Sequence, residues 1–132
     1  MPLNEYSAIV RDALVRAFPQ FKDYVRVGCE TLHLEVHFPH PRAAYELFIT
    51  TENNEISLFL GDDHRHIGMN RRLPVEEQIA QAQKLIGGLL SGSIPLAKDA
   101  RWPKLTIYDD PTTHGHDPDE RLTFVTWDEL GS

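Results

Sequence analysis

Two apolar runs meet at Glu52-Asn53-Asn54-Glu55, and that junction constrains the fold more than any other feature of the chain. AAYELFITT precedes it and EISLFL includes its last residue. Asparagine tolerates the left-handed backbone of a tight hairpin, so Asn53-Asn54 reads as a two-residue turn. The turn then sets a register: Glu52 faces Glu55, Thr51 faces Ile56, Ile49 faces Leu58, Phe48 faces Phe59 and Leu47 faces Leu60. One side of this hairpin holds Leu47, Ile49, Ile56, Leu58 and Leu60, a core face. The other holds Glu46, Phe48, Thr50, Ser57 and Phe59. A slip of one residue would mix the two sets, so their clean sorting supports the register. The Phe48–Phe59 pair falls on the outer side, where a cross-strand aromatic pair stabilises a sheet by roughly 0.2–1 kcal/mol.

TLHLEVHF, upstream, has the same period of two. Leu32, Leu34, Val36 and Phe38 alternate with His33, Glu35 and His37, the pattern of a half-buried strand, and Pro39-His40-Pro41-Arg42 ends it. Paired with AAYELFITT, it adds His33, Glu35 and His37 to the outer face, near Glu46 and Phe48. Two glutamates on neighbouring strands repel mildly, a strain that histidine or a partner's cation would relieve.

Helical spacing frames this meander. Leu3, Tyr6, Val10, Ala13, Leu14 and Ala17 form an apolar stripe, with Asn4 or Ser7 as cap and Pro19 as the stop. Gly61-Asp62-Asp63-His64-Arg65-His66 reads as a polar turn and Arg71-Arg72 as a short basic step. Pro74 is expected at the first helical position of a second helix, Glu76 and Glu77 complement its dipole, and Val75, Ile79, Ala82, Ile86 and Leu89 form its buried stripe. Gly87-Gly88 weakens its last turns and Ser91-Gly92 ends it. IPLA, KLTIY and RLTFVTW follow as strand-like runs. The expected fold is α+β, one domain over residues 1–132, with an antiparallel or mixed sheet, two helices packed on one face, and the element order α-β-β-β-α-β-β.

Charge is unevenly distributed. Of a net −7, residues 105–132 carry −6: Asp109, Asp110, Asp117, Asp119, Glu120, Asp128 and Glu129 against Arg121. The loop from Asp109 to Glu120 is long for a compact domain, which marks it as functional, mobile or both. A one-sided acidic surface points to a basic protein partner and argues against nucleic acid or an anionic membrane. With Glu5, Arg11, Asp12 and Arg16 the start lacks the uncharged apolar stretch of a signal peptide, and no apolar run is long enough to span a bilayer, so the expected location is cytoplasmic.

Few constellations suggest chemistry. Asp62-Asp63-His64-Arg65-His66 and His114-Gly115-His116-Asp117 contain His-x-His pairs, but both sit in expected loops without cysteine partners, so no metal is expected. The phosphate-binding, dinucleotide and nucleophile-elbow motifs are absent, and no cofactor is expected. Cys29 reads as a small core hydrophobe rather than a nucleophile, and no catalytic residue is assigned. A small enzyme or metal-binding protein built on the His/Asp loops stands as an alternative.

The meander TLHLEVHF–YELFITT–EISLFLGDD and the helix-to-strand run QAQKLIGGLLSGSIPLAKD, within residues 31–110, resemble the small immunity proteins that neutralise bacterial polymorphic and contact-dependent toxins. The element order is also similar to type III secretion chaperones, although those end on a third helix and this chain ends on the strand-like RLTFVTWDELGS. The resemblance implies an intracellular inhibitor that occludes the basic site of a toxin. The residues expected to meet the partner are Glu35, Glu46, Phe48 and Phe59 on the outer sheet face and Asp109, Asp110, Asp117, Asp119 and Glu120 in the acidic loop. The oligomeric state is left open.

Overall fold

The computed structural model describes residues 3–28, 32–43, 45–61, 63–67, 73–99, 102–108 and 122–130. The acidic loop Asp109–Glu120, Cys29, Asp62, and Arg71-Arg72 lie outside the described residues.

The chain forms an α+β fold with antiparallel sheets. Helix α1 spans Glu5–Ala17, and strands β1 to β5 span Val25–Val27, Leu34–Pro39, Glu46–Thr50, Ile56–Leu60 and Asp63–Ile67. Helix α2 spans Val75–Ser91, and β6, β7 and β8 span Leu96–Asp99, Trp102–Ile107 and Leu122–Val125. The α-β-β-β-α-β-β order is recovered and enlarged: β1 and β5 flank the meander and β8 joins the closing strands. Strands β1 to β5 form one sheet in sequence order, and a smaller sheet has the order β7-β6-β8.

The register about the asparagines is the expected one: Leu47 opposite Leu60, Phe48 opposite Phe59, Ile49 opposite Leu58. Asn53 and Asn54 both adopt positive φ, 63° and 54°. The connection is a 3-10 turn over Glu52–Asn54, closed by the Asn54 N–H donating to the Thr51 carbonyl at 3.0 Å, rather than a two-residue turn. Thr51 leaves the hairpin to serve the core: its N–H donates to the Leu34 carbonyl, and its Oγ1 accepts the Leu34 N–H at 2.8 Å and meets the Ser7 hydroxyl at 2.5 Å.

Leu34, Val36, Leu47, Ile49, Ile56, Leu58 and Leu60 point inward, all 0–1% exposed, and join Val10 and Leu14 of α1 and Ile79, Ala82, Ile86 and Leu89 of α2 in one core. Asn4 caps α1, its side chain accepting the Ser7 N–H. Pro74 is the N-cap of α2 rather than its first helical residue, with its carbonyl accepting the Gln78 N–H. Tyr6 joins the helices through an O–H donated to Gln78 Oε1 at 2.6 Å. Burial, then the nearby Glu55 charge, pushes the Tyr6 pKa up to about 12 and keeps that proton in place.

Two further local expectations are corrected. Strand β2 begins at Leu34, because Leu32 takes a left-handed φ of 52° that delivers its carbonyl to the Asn4 N–H at 2.9 Å. Gly61–His66 is not wholly a polar turn, since Asp63–Ile67 is the sheet's fifth strand. Its inward Asp63 and Arg65 pair with each other at 3.5 Å and bond the backbone of β7. Tyr108 donates its N–H to the Pro95 carbonyl, which makes Leu96–Ile107 a non-hydrogen-bonded pair and turns the Ile107 N–H and C=O away from β6. Asp63 Oδ2 accepts that N–H at 2.8 Å, and Arg65 Nη2 donates to that carbonyl at 2.7 Å. Two side chains thereby complete an edge of the small sheet and join it to the large one. Gly61, at φ 59°, makes the turn that brings β5 back, with Leu105 packed on it.

At the far end, Trp127 packs on Phe38 and His40. His40 Nε2–H donates to the Trp127 carbonyl at 2.6 Å while Nδ1 accepts the Arg42 N–H at 3.0 Å, a pairing that fixes the neutral ring in one tautomer.

The two sides of one hairpin have different stakes in stability. Leu58→Ala, which opens a cavity in the core, is expected to cost about 2–5 kcal/mol, whereas Phe59→Ala on the half-buried outer side should cost clearly less. Urea unfolding of the two variants measures the difference.

Candidate functional site

The outer face of the five-stranded sheet lies opposite the helices. Its cross-strand rows follow from the registers: His37, Phe48, Phe59 and His64 form one, and Arg26, Glu35, Thr50, Ser57 and His66 the next. Four of the nine sequence-predicted contact residues, Glu35, Glu46, Phe48 and Phe59, are brought together here. The other five, Asp109, Asp110, Asp117, Asp119 and Glu120, lie outside the described residues.

An aromatic ladder crosses this face. Ring centroids are 4.7 Å apart for His37–Phe48, 5.5 Å for Phe48–Phe59, 5.8 Å for Phe59–His64 and 5.1 Å for His64–His66. Aromatic contacts in this range attract beyond the area they bury, so the ladder stiffens four strands against one another. Phe48 and Phe59 are half-buried, and His64 and His66 are exposed. Thr50 and Ser57 are largely covered.

The glutamates are held by histidines. His37 Nδ1 lies 2.9 Å from Glu46 Oε1, and its Nε2 lies 3.0 Å from Glu35 Oε1. A neutral imidazole has one N–H, so a ring donating to two carboxylates at once is an imidazolium. Burial alone would lower the His37 pKa, but the hydrogen bonds to Glu35 and Glu46 and their charges outweigh it and raise the value. The His37 hydrogen bond, against partial burial and with help from His33, holds the Glu35 carboxyl below its usual range. His33 Nε2 reaches Glu35 Oε2 at 2.9 Å. The His33 ring is buried over Gly28, in the space that a Cβ at residue 28 would need. Glycine at 28 thus lets the imidazole lie flat enough to reach Glu35.

A second carboxylate–imidazole pair stands across the sheet, with His66 Nδ1 2.6 Å from Glu55 Oε1 and 2.9 Å from Ser57 Oγ. The grouping has the residue types of a hydrolytic triad without its geometry. The carboxylate and the serine both stand at Nδ1, whereas a triad needs them on opposite ring nitrogens, one to orient the ring and the other to take the serine proton. Among the described residues, no group of three or more His, Cys, Asp or Glu is arranged to hold a metal ion, and no helix is long and apolar enough to cross a membrane.

Sequence reasoning placed Glu35, Glu46, Phe48, Phe59, His33 and His37 on this face but missed Glu55, His64 and His66. The available signal was the alternation in Asp63-His64-Arg65-His66-Ile67, where both histidines share a parity. Comparison with protein-family models, curated proteins and solved structures finds no match.

The His37 bridge predicts a pH signature with two limbs. Stability from the raised His37 pKa is fully present below the ordinary histidine value of 6.5 and is lost as pH rises through the folded value. Stability from the lowered Glu35 pKa is present above the ordinary glutamate value of 4.5 and is lost as pH falls through the folded value. The Tm difference between the protein and its His37→Gln variant should therefore be largest between those values. A difference flat across pH would show that the bridge does not contribute.

Proposed function

We propose that this protein is a protein-binding inhibitor, an immunity protein that neutralises a bacterial toxin by covering its basic site. The observation that carries this reading is the outer sheet face, where Phe48 and Phe59 stand side by side, half-exposed, among Glu35, Glu46 and Glu55. Aromatic rings at the centre of a patch are the residues that dominate binding energy when a partner excludes water from them. Surrounding carboxylates orient a basic partner and exclude an acidic one. The remaining charge supports the same reading, because the −6 of residues 105–132 speeds encounter with a cationic surface.

The enzyme alternative loses support from the Glu55–His66–Ser57 geometry.

Co-expression with the protein encoded by the neighbouring reading frame tests the proposal directly. A stable complex is expected, and Phe48→Ala or Phe59→Ala should weaken it by about 30-fold, the scale of an interface hot spot. Full affinity in the folded double variant would move the interface elsewhere.

The acidic segment has its own signature. Changing Asp109, Asp110, Asp117, Asp119 and Glu120 to amides is expected to slow association, measured by stopped-flow. The deficit should fade with salt as the Debye length contracts from about 10 Å at 0.1 M to about 3 Å at 1 M. Unchanged association at low salt would assign these acids to solubility.

A further inference from the structure

The outer face already holds a cation of its own. The His37 imidazolium sits between Glu35 and Glu46, against the Phe48 ring, with both nitrogens donating to carboxylate oxygens. Two carboxylates and an aromatic ring also suit the side chain of a partner's arginine, whose planar guanidinium donates to carboxylates and stacks on rings. The site is superficial: the side chains of His37 and Glu46 are 33% and 47% exposed, so the imidazole can be displaced into water without opening the core.

We infer that His37 is a built-in competitor for the partner's arginine, so that the face binds a basic partner more tightly as pH rises and His37 surrenders its proton to solvent. This inference rests on the inhibitor reading for the identity of the partner, but the competition itself is a property of the isolated protein. While His37 is charged, an arginine must displace an ion already paired with Glu35 and Glu46. Once the ring is neutral it can donate to one of them at most, and the carboxylates are left with an unbalanced charge that an arginine satisfies.

The groups facing His37 allow this direction. On β2 they are Glu35 and, through Glu35, His33. From β3 comes Glu46, and on β1 Arg26 stands in register with Glu35. Across the ladder on β5 are His64 and His66, with Glu55 Oε1 2.6 Å from His66 Nδ1. The raised His37 pKa, with the hydrogen bonds to Glu35 and Glu46 outweighing burial, extends the pH range over which the imidazolium competes.

N-acetyl-arginine methylamide, titrated into the protein and followed by NMR on the His37 imidazole and the Phe48 and Phe59 rings, tests the inference without any toxin. Saturable shifts are expected at those three residues, with affinity higher near about pH 8.5 than near about pH 6 by about two- to fivefold, the scale of an exposed cation–π contact. Glu46→Gln should weaken binding. His37→Gln should strengthen it at the lower pH and flatten the pH dependence, a gain that a merely structural histidine would not give. Binding that tightens as pH falls, or that weakens in folded His37→Gln, would overturn the inference, as would no shift at these residues. Failure here with an intact toxin complex would reject the competition alone. Arginine binding without any toxin complex would reject the inhibitor reading alone.

Discussion

The register of the β3–β4 hairpin is the constraint on which the rest of the structure depends. Two asparagines with positive φ bring the chain back so that Ile49 meets Leu58 beneath the sheet and Phe48 meets Phe59 above it. The helices then have a continuous aliphatic surface to cover, and burying it supplies most of the drive to fold. The outer surface receives what the core cannot accept. A shift of one residue would bury Glu46 and expose Leu47, and with them the rest of both sets.

Polar atoms inside this framework are matched rather than left over. Ser7 and Thr51, both fully buried, meet each other, and Thr51 also accepts the Leu34 N–H. Asp63 and Arg65 occupy inward positions of β5 and satisfy one backbone unit of β7. An unpaired buried group would cost about 1–3 kcal/mol, so these contacts specify where α1 and the small sheet sit. The same economy operates on the outer face. Glu35 and Glu46 stand in the rows on either side of His37, opposite Thr50 and Pro39, and the imidazolium between them forms a bridge from β2 to β3. That bridge makes the face responsive to protons.

Much of the meander was legible because its signals are local. The Asn4 cap, the Gly92 stop at φ 85°, the alternation through Leu34–Val36 and the sorting around Asn53-Asn54 each depend on neighbours within a few residues. The site was legible in part for the same reason. Once the register is known, Glu35, His37, Glu46, Phe48 and Phe59 fall on one side. Strand β5 was hidden because Asp63-His64-Arg65-His66 carries no apolar alternation, and its inward charges are accommodated by the Ile107 backbone more than forty positions away. Strand β1 was hidden by its length, three residues being too few for a period to register.

The sequence by itself determined the face assignments of the central meander, the place of both helices and the sign of the charge at the C-terminal end, because hydrophobic period and ionisation are properties of residues and their near neighbours. Only the tertiary structure decided that His37 bridges two glutamates, that Gly28 makes room for His33 to reach one of them, that Glu55 and Ser57 stand at the same nitrogen of His66, and that β5 completes the edge of the small sheet. Those outcomes turn on angles and separations of a few ångströms between strands, and such distances are set when the core closes.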